Sequence, residues 1–177
     1  VAVVIPARGA RPAGGHVAPI RPLPGPLRFV DGEREKVVQP CRQRPGIEHL
    51  ANSNLPVVLL GRYPHLPEAV SVWTDDVAGS HAATNHLIQQ HGRRQVLHLS
   101  GPLDHRSAID RRDGFLLACR ESGIEPMVLE GDYSEESGAA AVDRLAGAPV
   151  DGIVAANDEM AYGALRTLQA RGISLPD

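Results

Sequence analysis

The side chains able to do chemistry in this chain gather just behind its short apolar runs. Behind Leu60 come Gly61, Arg62 and Tyr63; behind Leu99 come His105, Ser107 and Arg111. Behind Leu129 come Asp132 and Tyr133, and behind Ala156 comes Asn157. A guanidinium fork and a carboxamide pair with vicinal hydroxyl groups, and an aromatic ring covers the apolar face of a sugar. Taken together, these residue types fit binding of a polyol. Each also has a plainer reading: Arg111 as a surface arginine on a helix, Tyr133 as loop packing, Asn157 as the cap of the helix that Asp158 opens. Trp73, the only tryptophan, reads as packing. Asp75 and Asp76 read as helix caps and not as catalytic carboxylates.

Enzyme signatures are missing. The sequence has no G-x-S-x-G, G-x-x-x-x-G-K-[ST] or H-E-x-x-H, and no G-x-G-x-x-G behind a strand. Ser100 lacks the spacing of a nucleophile elbow. His81, His86 and His91 recur every five residues, so on an α-helix they wander around the axis and do not form a ligand set. Cys41 and Cys119 stand far apart, which excludes a disulfide framework or zinc ribbon and makes a reducing compartment the default. The expectation is a binding protein, with no catalytic residue, no metal and no cofactor.

Such residues need a frame that brings strand ends together, and the pattern supplies one from about Leu55 onward. Residues 56–61 and 70–73 are predicted strands. Asp75 and Asp76 are placed to cap a helix over about 77–91 that Gly92 stops. Residues 96–99 form a strand, and a helix over about 107–122 follows, with Gly123 as its stop. Residues 127–129 are a strand. Ser134, with Glu135 and Glu136 in the first turn, opens a helix that runs to Gly147. Residues 152–156 are a strand, the helix capped by Asn157 and Asp158 ends at Gly172, and residues 173–175 approach one more strand. Strands alternating with helices imply right-handed βαβ units, an α/β fold with a parallel sheet covered on both faces. Sheets of this kind bind ligands at the carboxyl ends of their strands, beside helix N-termini.

Residues 1–46 break the pattern. They hold 8 of the 15 prolines, with 8 basic against 3 acidic residues, a balance of +5. Residues 47–177 hold 10 basic against 18 acidic, a balance of −8, and the two sum to the net −3. Residues 1–6 could form a first strand, but Pro12, Pro19, Pro22, Pro24 and Pro26 exclude helix and central strand behind it. The expected organisation is an irregular or disordered Pro/Arg-rich segment over 1–46, then a domain over 47–177. Lys36 is the only lysine beside 17 arginines, the bias of a GC-rich genome. No apolar run reaches the ~18 residues of a membrane span. The N-terminus has neither a basic region nor a cleavage site, so the expectation is no secretory signal and a cytoplasmic location.

Order and spacing over residues 55–177 resemble the ligand-binding core of the lactose/galactose repressor (LacI/GalR) family of bacterial transcription regulators. That core shares its fold with periplasmic sugar-binding proteins. The resemblance is carried by residues 55–62 and 72–76, by 92–102, by Arg111-Arg112-Asp113-Gly114-Phe115, by 131–138, and by Ala156-Asn157-Asp158-Glu159-Met160 through Ala164. It implies a type I periplasmic-binding-protein-like fold, incomplete here, and an effector-sensing, carbohydrate-binding role. Residue by residue, it puts the effector-contacting arginine on Arg111, three before Gly114, and the stacking aromatic on Tyr133. It puts pocket positions on His105, Ser107 and Asn157, and a cleft-lining position on Arg62 or Gly61. An intact relative would be a homodimer that contacts operator DNA through a helix-turn-helix domain missing here.

Gly92-Arg93 stands where the family usually has Gly-His. Residues 7–46 stand in place of the family's first helix and next strand, the helix-turn-helix is missing, and the sequence stops before the strands that complete the core. The expectation is therefore a fragment, cut at both ends, with residues 7–46 arising from a frame disruption or a wrong start. A transport-type sugar-binding protein and a truncated product without function are the alternatives. A leader peptide upstream would favour the first, a helix-turn-helix the regulator.

Overall fold

The computed structural model describes residues 2–4, 36–38, 46–51, 53, 55–63, 66–145 and 148–173. Its elements are β1 (Ala2–Val4), β2 (Lys36–Val38), α1 (Gly46–Ala51), β3 (Val57–Leu60), β4 (Ser71–Val72) and α2 (Asp76–Asn85). A π-helical turn, His86–Gln90, continues α2. Then come β5 (Val96–Ser100), α3 (Arg106–Glu121), β6 (Met127–Glu130), α4 (Glu135–Arg144), β7 (Gly152–Ala155) and α5 (Asp158–Ala170).

The strands form two sheets, ordered β1-β7-β5-β6 and β2-β3-β4. In the first, β5 runs parallel to both neighbours, with His98 opposite Val128 of β6 and Val154 of β7. The second is parallel throughout. The α/β class and parallel pairing expected from the sequence are therefore present. Among the described residues the strands fall into two sheets, and one pairing departs from the parallel expectation: β1 runs antiparallel to β7. No βαβ crossover leads from β1 to its neighbour, so the handedness rule for such units sets no direction for it. Both β1 and β2 fall inside residues 1–46. The prolines from Pro12 to Pro26 lie outside the described residues, as do residues 174–177, where a last strand was expected.

Period-two alternation along β5 and β7 splits the core into two halves. Leu97, Leu99, Ile153 and Ala155 face one way and pack with Val142 of α4 and Met160, Ala164 and Leu168 of α5. Val96 and Val154 face the other way and pack with Leu87 and Ile88 of the π-helical turn and Phe115 and Cys119 of α3. Helices on both faces explain why β5 and β7 are buried along their whole length, with apolar side chains at both odd and even positions. The chain leaves β5 through α3 on one face, and leaves β6 and β7 through α4 and α5 on the other. Adjacent strands with connections to opposite faces make a switch point, where a crevice opens beyond the carboxyl ends.

Helix starts follow the expected caps. Asp75 accepts from the Ala78 amide at 2.9 Å, Ser134 from Ser137 at 3.1 Å and Asn157 from Met160 at 3.2 Å. Among the described residues no helix is long and apolar enough to cross a membrane.

Candidate functional site

Three loops meet at the carboxyl edge of the β5–β6–β7 sheet, and each delivers one part of a cluster. The loop behind β5 carries Gly101 and His105 into α3, whose first turns hold Ser107 and Arg111. The loop behind β6 holds Asp132 and Tyr133. The loop behind β7 holds Ala156 and Asn157.

Tyr133 is the only non-glycine described residue in the left-handed backbone region, at φ 71°, a conformation that costs energy for a bulky side chain. Its neighbours hold it there. The Asp132 carboxylate accepts from the Ser134 amide at 3.0 Å and the Ser134 hydroxyl at 2.5 Å. These bonds, with one from the Ser137 hydroxyl, hold the Asp132 carboxyl down at about 2, so it stays ionised. On the other side, Asn157 Nδ2 donates to the Tyr133 carbonyl at 2.8 Å. The ring lies on Gly101, where an added Cβ would fall 2.2 Å from its Cε1 and Cζ; only glycine admits it. Its hydroxyl is 3.4 Å from Ser107 Oγ, and the His105 ring stands 5.5 Å away, tilted by 56°.

Arg111 is fixed beside this group. Its Nε donates to Asp76 Oδ1 at 2.9 Å and its Nη1 to the Ala156 carbonyl, next to Asn157. The side chain is one-third exposed, and Nη2 is not taken up by these contacts. The reach to Asp76 depends on how closely α2 and α3 pack: a Cβ on Gly114 would sit 2.2 Å from the Val77 carbonyl. Asn157 acts as a cap and a bridge together, because Oδ1 accepts from Met160 while Nδ2 is shared between the Tyr133 carbonyl and Glu159 Oε2, the latter at 2.6 Å.

Five of the six residues singled out in the sequence thus stand together: His105, Ser107, Arg111, Tyr133 and Asn157. The sixth, Arg62, is exposed behind β3 of the second sheet, and no hydrogen bond or ion pair ties it to the cluster. Asp75 caps α2 as its type suggests. Asp76 does not act as a cap; it is the ion-pair partner of Arg111 across 35 positions of chain, which no local pattern announces. Gly101 was also missed, although its Gly-Pro setting was visible.

Among the described residues, no group of three or more His, Cys, Asp or Glu could hold a metal ion. One expectation about histidines fails. His86 and His91 do share a face, with Nε2 atoms 3.1 Å apart, because the helix there is π and not α. An open, polar cluster of donors, acceptors and one ring, held by its neighbours, can grip a small hydroxylated molecule.

Comparison with known proteins agrees with this architecture. Residues 40–177 match the family described as periplasmic binding proteins and sugar binding domain of LacI family. The chain is 33% identical over 127 residues to the HTH-type transcriptional regulator AscG of Escherichia coli K12, covering 69% of this chain and 38% of that protein. Among solved structures, a sugar-binding transcriptional regulator of the LacI family from Escherichia coli, complexed with phosphate, superposes with TM-score 0.68 at 27% identity. That match covers 81% of this chain and 54% of the other. The transcriptional regulator CelR–cellobiose complex superposes with TM-score 0.70 at 31% identity over 79% of this chain and 45% of the other. The chain thus spans about half or less of the length of the proteins it matches.

Proposed function

The chain belongs to the family of periplasmic binding proteins and LacI-type sugar-binding domains, and on that premise we propose that it binds the small-molecule effector of a transcription regulator. The ligand class is a sugar or similar polyol. The observation that carries this most is the convergence of His105, Ser107, Arg111, Tyr133 and Asn157 at the switch point of the β5–β6–β7 sheet. Such crevices hold ligands in open α/β sheets, and the named residues offer the fork, amide, hydroxyl and ring that a polyol needs. The solved relative with cellobiose, CelR, supports the same ligand class.

In this reading Arg111 gives the main directional contact. Its guanidinium is pre-set by Asp76 and the Ala156 carbonyl, so little side-chain entropy is lost when a ligand arrives. Tyr133 supplies the flat apolar face. Arg62, from the second sheet, enters as a contact from the opposite side of the ligand. Residues 47–177 are the effector-binding unit; the described residues of the segment before it include the edge strands β1 and β2. No chemical step is involved: the unit binds and releases its ligand unchanged, in the cytoplasm.

The regulator works as a homodimer whose operator affinity changes with effector occupancy, a coupling between two sites. DNA reading belongs to a helix-turn-helix module outside these 177 residues. The −8 balance of residues 47–177 opposes contact with phosphates. A thermal-shift screen of the chain against common mono- and disaccharides tests the reading, since a ligand bound to the native state raises its apparent stability. A concentration-dependent rise with at least one sugar is expected. A flat response across the panel, or an operator-specific, salt-sensitive gel shift by this chain alone, would contradict it.

A further inference from the structure

His86 and His91 are five residues apart, and on an α-helix that spacing turns two side chains about 140° away from each other. The π-helical turn His86–Gln90, built on i to i+5 bonding, brings them together instead. Their Nε2 atoms are 3.1 Å apart, and the rings stand 4.8 Å between centroids at 72°. Two imidazole nitrogens each about 2.1 Å from one metal ion stand about 3.0 Å apart at a right angle and about 3.4 Å apart at the tetrahedral angle. The observed separation lies between.

We propose that His86 and His91 form a two-imidazole chelate for a divalent late first-row transition metal, Zn2+ or Cu2+. Imidazole nitrogen is a ligand both ions favour. In the free protein one ring donates an N–H to the other. Metal binding replaces that bond: the Nε2 proton of the donor ring passes by way of water to its own Nδ1, so both rings stay neutral, and a ring turn aims the two Nε2 lone pairs at the ion. Both rings are half-buried, which leaves the remaining coordination positions to solvent. Asn85, Gln89, Glu121 and Ser122 line a depression with His86 and offer oxygens to metal-bound water.

The charges around the pair work in both directions. Burial first, then the charges of His86 and Arg93, lower the His91 pKa from its ordinary value. Arg93 also repels a cation, whereas Glu121 of α3, though paired with His81 at 2.7 Å, supplies the opposite charge. The bound ion ties the two ends of the π turn to each other, just ahead of β5.

Calorimetric titration of the metal-stripped 177-residue chain with ZnCl2 at pH 7.5 tests the site. One strong equivalent is expected in the wild type, with a rise in Tm. His86→Ala and His91→Ala should each lose at least tenfold in affinity and the Tm rise, while His81→Ala stays within twofold. Retention of affinity within twofold by either of the first two, or an equal loss in His81→Ala, overturns the proposal. Should a variant fail to fold, EPR of the one-equivalent Cu2+ complex of the wild type decides. Hyperfine structure from two imidazole nitrogens supports the chelate, and from one or none refutes it.

Discussion

The two sheets of this molecule are built from similar residues and differ in how much they are asked to hold. The sheet β1-β7-β5-β6 is packed on both faces by helices, and Leu97, Leu99, Val96, Ile153 and Phe115 are almost completely shielded from solvent. The sheet β2-β3-β4 has strands of three, four and two residues. Beside it Leu55, Val70, Val72 and Trp73 stand exposed, Trp73 at 55%. Five of the six candidate site residues extend from the first sheet and only Arg62 from the second. A site that needs several side chains held in fixed geometry depends on elements whose own rotamers are locked by packing.

The difference can be broken or sharpened by substitution. The largest effect is expected at Phe115, fully buried and stacked on His98 at 5.2 Å: Phe115→Ala should cost about 3–5 kcal/mol. Trp73→Ala, in the exposed region, should stay within about 1 kcal/mol. Urea unfolding of both variants checks the contrast, and equal losses would erase it.

The next effect comes from His98, in the middle of β5. Its Nδ1 donates to the Val154 carbonyl at 2.9 Å and its Nε2 has no partner. Burial lowers its pKa from 6.5 to about 4. The unfolded chain therefore takes up a proton in a range where the folded chain does not. Stability is fully present above pH 6.5 and falls between about 6.5 and 4, by about 3 kcal/mol if His98 acts alone. His98→Leu should flatten that slope, as followed by unfolding at stepped pH.

Smaller again is Gly101→Ala, whose new Cβ would meet the Tyr133 ring. A loss of about 1–3 kcal/mol is expected, together with weaker effector binding. Wild-type binding in that variant would mean that the ring's place on Gly101 is incidental.

Much of the first region was legible in the sequence, for local reasons. Asp75, Ser134 and Asn157 announce helix starts because a short oxygen-bearing side chain satisfies free amides there. Apolar side chains at both odd and even positions of β5 and β7 announce strands covered on both faces. The strand-end positions of Arg111, Tyr133 and Asn157 then follow from the topology. What stayed hidden is non-local or depends on helix type. The Asp76–Arg111 pair joins residues 35 positions apart, and an aspartate in a first turn looks like any other. The antiparallel pairing of β1 joins Ala2 to Val154, far apart in the chain, and no local pattern fixes its direction. The π turn changes the rule by which spacing is converted into a shared face, so His86 and His91 were read with the wrong period.

Titration of the sugar that shifts the wild-type chain into Arg111→Ala and Arg62→Ala, by calorimetry at fixed pH and salt, tests the central claim most directly. Loss of a hydrogen bond to a charged group costs about 1.5–3 kcal/mol, so Arg111→Ala should lose at least tenfold in affinity while Arg62→Ala loses less than fivefold. Unchanged binding in a folded Arg111→Ala chain, or a larger loss in Arg62→Ala, would contradict a site centred on the carboxyl edge of β5, β6 and β7.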